Sequence, residues 1–346
     1  MTTQVTILPV AVAGEITPDS DLPGLLAGLL RSALTAGDVL VVTSKVISKW
    51  LGLYAEPGVD RADLVLQQSR SVVAERLTDN GVTRIVEATA GPVMAGAGID
   101  ASNAGDDRLL LLPHDADDVA RRLRREISEN LGRPTDFAVV LSDTSGRAWR
   151  AGLTDFALGA AGLLPIDDLR GLPDTAGRDL AVTIRNIADE VAAAADLVKG
   201  KVDRVPAAVV SGLAAYVTTQ DGPGARGLVR TGPTDWFGLG RAEAVRAALG
   251  VAPGTAPAVE VGIESTGPEP LRERAVRALR VALAAGDPVE ADVTGPTDAP
   301  VTIVLRSADP VALGRVWARL EAALAGERAG CAAARCADGV MVTVSG

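Results

Sequence analysis

The feature that most constrains the fold is the stretch AVVLSDTSGRAWRAGLTDFALGAAG, residues 138–162. It opens as a β-branched apolar run and passes directly into a polar loop that carries two aspartates, two arginines and several small hydroxyl residues. A short continuous apolar run reads as a buried strand, so the chain has to assemble a covered sheet around it. A strand of this kind ending in Asp143 holds a carboxylate firmly at a sheet edge, and Gly146 and Gly152 let backbone approach a ligand closely. Such an edge suits a metal ion.

The rest of the composition narrows the chemistry. With 346 residues the chain is long enough for about two domains. No apolar run reaches the roughly 18 residues of a membrane span, and the N-terminus lacks a basic segment followed by an apolar one. A cytoplasmic protein that binds no membrane is expected. A net charge of −10 argues against a general nucleic-acid binder. Cys331 and Cys336 are too few for a disulfide scaffold and read as small buried or half-exposed residues. The single histidine, His114, excludes a His-rich metal site. Oxygen ligands remain, pointing to Mg²⁺, Mn²⁺ or Ca²⁺. Positive charge is written almost wholly as arginine, with lysine only at Lys45, Lys49, Lys199 and Lys201. Two lysine pairs in such a chain mark places where a compact ammonium is wanted rather than a planar guanidinium.

Periodicity predicts strands at Val5–Val12, Val39–Thr43, Thr83–Ala88, Pro92–Ala95, Leu109–Leu112 and Pro206–Val210. It predicts helices at Leu22–Leu34, Arg61–Leu77, Asp115–Asn130 and Leu180–Val198. Arg121, Arg122, Arg124 and Arg125 read as a solvated helix face, with Asp117–Arg121 and Asp118–Arg122 as i,i+4 pairs. A Gly/Pro/Thr-rich stretch from Asp221 to Pro233 reads as a linker. The expected organisation is a domain over 1–235 and a small α+β module over 236–346.

Gly96, Gly98 and Ala101 fit a dinucleotide fingerprint, but no helix follows them, so that reading fails. The phosphate loop G-x-x-x-x-G-K-[ST] is absent as well. Asp100 with Asn103, and Asp143 with Thr144, each set a carboxylate beside a neutral oxygen donor. Converging, they would hold a hard cation against phosphate oxygens; the alternative is a pair of loop-capping Asx turns. Trp149, between Arg147 and Arg150, either stacks on a flat heterocycle or packs half-buried, the commoner use.

These residues resemble a known family. SDTSGRAWRAGLTDFALGAAG, the GIDASN of 98–103, the VVTSKVISK of 41–49 and GRDLAVTIRNIADEVAAAADLVKGKVD resemble, in order, the coenzyme F420-0:L-glutamate ligases. The resemblance implies an α+β, mixed-sheet ligase fold that forms a homodimer. It implies a GTP-dependent ligase that joins L-glutamate to coenzyme F420-0 through an acyl phosphate, with Mg²⁺ or Mn²⁺ and K⁺. Carried over by residue, Asp100, Asp143 and Thr144 fall on metal positions. Ser44, Lys45, Lys49 and Asn103 fall on GTP-contacting ones, and Lys199, Gly200, Lys201, Val202, Asp203, Arg204 and Val205 on a nucleotide loop. Ala13, Gly14, Glu15 and Ile16 occupy a further nucleotide turn, although Val12-Ala13-Gly14 replaces the family's glycine-leucine-proline. Arg147 and Arg150 would hold substrate carboxylates or the departing phosphate. Arg204 stands where a glycine is common.

Bifunctional actinobacterial relatives append an FMN-binding domain. Residues 241–346 are short for one and hold a single aromatic, Trp317, so no flavin is expected. Two competing readings use the same residues: a metal-dependent phosphohydrolase and a non-catalytic deazaflavin-binding subunit.

Overall fold

A computed structural model describes residues 4–101, 108–134, 136–200 and 204–346. The chain forms two compact units, Met1–Arg61 with Ala88–Thr231, and Ala62–Glu87 with Gly232–Gly346. The second therefore draws in residues 62–87, which a single boundary at 235/236 assigns to the first.

The first unit is built on a five-stranded mixed sheet in the order Thr6–Val10, Ala207–Ser211, Val39–Thr43, Ala138–Gly146, Leu153–Ala161. Only the pairing of Val39–Thr43 with Ala138–Gly146 is parallel. The three central strands are apolar at consecutive positions because both sheet faces are covered. Leu40, Val42, Val139, Leu141, Ala207 and Val209 point into a core completed by the helices Leu22–Leu30 and Ala116–Leu131. Val39, Val41, Ala138, Val140, Ala208 and Val210 point the other way, against the helix Ile187–Asp196. The register between Ala138–Gly146 and Leu153–Ala161 shifts at Leu141/Ser142, leaving Leu158 without a partner. This bulge sits where the apolar run becomes polar, and bulges re-aim side chains at such places. Gly159, beside it, is fixed by space: a Cβ there would lie 2.3 Å from the backbone of Ala116.

The second unit is a four-stranded antiparallel sheet, Glu290–Thr294, Val301–Arg306, Gly339–Ser345, Gly330–Cys336, packed against the helices Leu271–Leu283 and Pro310–Gly326. Neighbouring strands Ser69–Thr78 and Gly81–Ala88 supply its earlier segment. Buried Glu75 ties that segment in, accepting from Arg84 Nε at 2.9 Å and from the Gly254 N–H at 3.0 Å. Leu77 exchanges backbone hydrogen bonds with Glu264 and Thr266.

Five expectations are corrected. The helix predicted over Arg61–Leu77 stops at Gln67, and Ser69–Thr78 is a strand, because Val72-Val73 and the Asp79-Asn80-Gly81 turn favour a hairpin. The helix predicted from Leu180 begins at Ile187, capped by the Asn186 side chain, with β-branched Ile184 in a short strand before it. Leu109–Leu112 forms only isolated bridges at Leu110. The arginine run is not uniformly solvated: Arg124 is 1% exposed, and its guanidinium donates to the carbonyls of Phe137 and Thr218 and to Asp221. Asp117 is likewise buried, accepting from the Ala160 and Ala225 N–H groups, and the observed surface pairs are Arg121–Asp118 and Arg122–Glu126. Both cysteines are exposed.

Candidate functional site

Strand direction alone gathers the polar segments. Val39–Thr43 and Ala138–Gly146 run parallel, so Ser44 and Asp143 emerge at the same sheet edge. Ala207–Ser211 runs against Val39–Thr43, which brings the loop from Lys199 to that edge. Thr6–Val10 is antiparallel in turn to Ala207–Ser211 and delivers the 11–16 turn there. Leu153–Ala161, antiparallel to the central strand, adds Asp155.

At that edge Ser44 Oγ donates to Asp143 Oδ1 at 2.7 Å, and Lys45 Nζ lies 2.8 Å from Asp100 Oδ2. Successive side chains of a strand face opposite ways, and Thr144 accordingly points away from Asp143, its Oγ1 donating to Asp155 Oδ1 at 2.7 Å. Asp155, 3% exposed, also accepts from Ser142 Oγ at 2.8 Å and from Lys199 Nζ at 2.5 Å. Lys49, buried, meets Glu15 of the first turn at 2.5 Å. The hydrogen bond and charge of Lys49, with Arg204 adding to them, hold the Glu15 carboxyl below the usual range.

Burial drives the Asp143 carboxyl up to about 6, against the bonds from Ser44 and Thr144 that pull it down; the charges of Asp155 and Asp100 push the same way as burial. A sheltered carboxylate beside two others calls for a cation. Among the described residues no three acidic, histidine or cysteine side chains close into a metal cage. A Mg²⁺ ion held by one or two carboxylates, with water and substrate phosphates as its other ligands, does not require such a cage. Asp100 and Asp143 fit such an ion.

The other candidates divide by position. Ala13, Gly14 and Glu15 are exposed, with Gly14 at φ +83°, whereas the Ile16 side chain is buried in the core. Gly200 and Val205 bridge the base of their loop, and Arg204 adopts φ +57°, a left-handed conformation that glycine takes most easily. Arg147 and Arg150 are exposed on the connection between Gly146 and Leu153. Asn103, Lys201, Val202 and Asp203 lie outside the described residues. Sequence reasoning missed Asp155 and Ser142. Their signal was a charge and a hydroxyl set into otherwise apolar strands, at positions that pair across the sheet near the bulge.

A cavity of about 580 Å³ opens beside this cluster, lined by Gly146, Arg147, Asp155, Phe156, Arg226 and Arg230 among others. The cavity wall is of mixed charge, with Arg147, Arg226 and Arg230 set among Asp115, Asp117, Asp155, Asp189 and Glu190.

Residues 12–212 match the protein family described as F420-0:gamma-glutamyl ligase. The chain is similar to the coenzyme F420:L-glutamate ligase of Methanopyrus kandleri, 34% identical over 67% of this chain and 96% of the relative. It is also similar to the proteins of that name from Archaeoglobus fulgidus, 37% identical over 61% of this chain and 88% of the relative, and Halobacterium salinarum, 38% over 55% and 79%.

Proposed function

Because the chain belongs to the F420-0:gamma-glutamyl ligase family, and is an enzyme of F420 glutamate ligation, we propose that it couples this ligation to GTP and a divalent metal through an acyl phosphate. The observation that carries the reading is the convergence of Asp143, Asp100, Asp155 and three lysines on one sheet edge. In the first step a carboxylate oxygen of F420-0 attacks the γ-phosphorus of GTP, and the bond to the bridging oxygen breaks to release GDP. The glutamate amine nitrogen then attacks the acyl carbon, phosphate leaves with its oxygen, and the amine proton passes to solvent.

This chain's part is to hold and orient. Lys45 and Lys49 present ammonium groups to phosphate oxygens, and Lys199 fixes Asp155 and Ser142 beneath them. Asp100 and Asp143 would hold Mg²⁺ or Mn²⁺, which when bound neutralises phosphate charge. Thr144 supports the site through Asp155. Arg147 and Arg150 receive the anionic groups of the acceptor. We extend the proposal to a homodimer, to K⁺ as a further cation, and to residues 241–346 taking no flavin. Incubation with GTP, Mn²⁺, L-glutamate and F420-0 tests it: glutamate-dependent GDP release and a product heavier by one glutamyl residue are expected, and GDP release indifferent to glutamate would make the protein a phosphohydrolase.

A further inference from the structure

The two outer strands of the C-terminal sheet are finished differently. Along Glu290–Thr294 the exposed positions include Glu290 and Asp292, Asp292 meets Arg306 at 2.5 Å, and Gly295-Pro296 follows the strand. Charge and proline of this kind keep a sheet edge from accepting another strand. Gly330–Cys336, at the opposite edge, has neither from Gly330 to Ala334. It runs in unbroken register with Gly339–Ser345 and is exposed at every position except Ala333. A regular, uncharged edge offers a row of backbone donors and acceptors, and its alanines leave room for a neighbour at strand spacing.

The side chains say which strand fits. Val340, Val342 and Val344 are buried and stand opposite Arg335, Ala333 and Cys331, so these three lie on the sheet face that the helices cover. Glu321 of the helix Pro310–Gly326 accepts from Trp317 Nε1 at 2.7 Å. It lies close enough to Cys331 that its charge adds to burial in raising that thiol. Arg335, four residues along the same face, stands about 13 Å from Cys331 by strand rise and has no ion-pair partner among the described residues. A second copy laid antiparallel about a two-fold axis at Ala333 pairs the whole strand, Ala333 with itself, Ala332 with Ala334 and Cys331 with Arg335. That register carries each guanidinium to the Glu321 of the other copy, and the same patch serves both sides, as a two-fold contact requires. We infer that Gly330–Cys336 is a self-association edge, which joins the four-stranded sheets of two chains into one continuous sheet, outside the 12–212 family match.

Sedimentation and light scattering of the full chain over a dilution series read the assembly without any substrate. Ala332→Lys combined with Ala334→Lys sets lysines opposite lysines and should halve the particle mass found for wild type. Arg335→Glu turns both cross-copy pairs into like-charge pairs and should raise the dissociation constant about tenfold. Adding Glu321→Arg to it should restore the pairs in reverse and return the constant to within about threefold of wild type. Circular dichroism of each variant should match wild type, since the substituted positions are exposed. If the first unit self-associates as well, the same changes divide a larger particle. A wild-type mass no greater than that of the lysine variant at every concentration overturns the inference, and so does a double charge swap that dissociates like Arg335→Glu alone. None of these readouts involves turnover, so a failed ligase assay leaves the self-association result standing.

Discussion

Both units of the molecule bury charge, and they do so in opposite ways. In the C-terminal unit Arg277 is clamped by Glu269 and Glu327, with Arg277 Nη1 to Glu269 Oε1 at 2.6 Å and Nε to Glu327 at 3.1 Å, while Arg246 closes the set on Glu327 at 2.7 Å. Burial pushes the Glu327 carboxyl up, but the hydrogen bonds and charges of Arg277 and Arg246 outweigh it and hold it below the ordinary range. At the sheet edge of the first unit burial wins instead, and Asp143 is driven up to about 6. The closed network sets each buried carboxylate against a guanidinium, whereas at the sheet edge Lys45 and Lys199 are paired with Asp100 and Asp155, and Asp143 is met by the Ser44 hydroxyl.

The comparison breaks if the two kinds of site respond alike. The largest effect is expected from Asp143→Ala and Asp100→Ala, each lowering turnover by about a thousandfold or more at saturating Mn²⁺ because the phosphates lose a metal clamp. Circular dichroism and melting should leave the fold intact. Near wild-type turnover in either variant would withdraw that residue from the metal set. Glu327→Ala should do the reverse, costing the C-terminal unit roughly 3–5 kcal/mol in denaturant melts, since it leaves the buried Arg246 guanidinium without its carboxylate and Arg277 with Glu269 alone. Its steady-state kinetics measured below the melting range should match wild type.

Lys49→Arg sharpens the contrast at smaller scale. Its ammonium is buried against Glu15, and a longer, fork-shaped guanidinium cannot take that position. The Michaelis constant for GTP should rise about tenfold; no change would show that the Lys49 ammonium does not meet a phosphate.

The smallest effect is a slope in pH. The folded Asp143 carboxyl titrates near 6 and an unfolded one near 3.9, so between those values the folded state holds a proton that the unfolded state has lost. Stability of the metal-free protein therefore falls as pH rises through about 4 to 6, and the Asp143→Asn variant should flatten that part of the melting-temperature profile. Added Mn²⁺ should raise the melting point more at pH 7.5 than at 5.5, since only the ionised carboxylate is a ligand. A profile identical in wild type and Asp143→Asn would show that Asp143 does not feel its burial.

Much of this was legible in the residues. The central strand and its neighbours were readable because strands covered on both faces are apolar at every position, and Ser44, Lys45 and Asp143 stand at or just beyond the ends of such runs. Arg124 and Asp117 were misread because a helix pattern gives spacing along the helix and not what crosses it: among their partners, Thr218 and Ala225 lie 94 and 108 residues away. Asp155 was overlooked for the same reason, since its meaning comes from Ser142, Thr144 and Lys199. The 62–87 segment clusters with residues beyond 231, a grouping that no local pattern in the segment announces.

That last arrangement also bears on how the chain is made. The Leu77 carbonyl accepts from Thr266, 189 residues on. At about 5–20 residues per second of synthesis, the earlier segment emerges about 10–40 s before its partners exist. An isolated hairpin is marginally stable in water, so during this interval Val72, Val73 and Leu77 lack their native neighbours while the first unit's sheet is being laid down around them in sequence. The enzyme's birth therefore includes a waiting period in which a chaperone has a defined stretch to guard, and a ribosome that stalls before the C-terminal unit is complete releases a chain with that stretch still open.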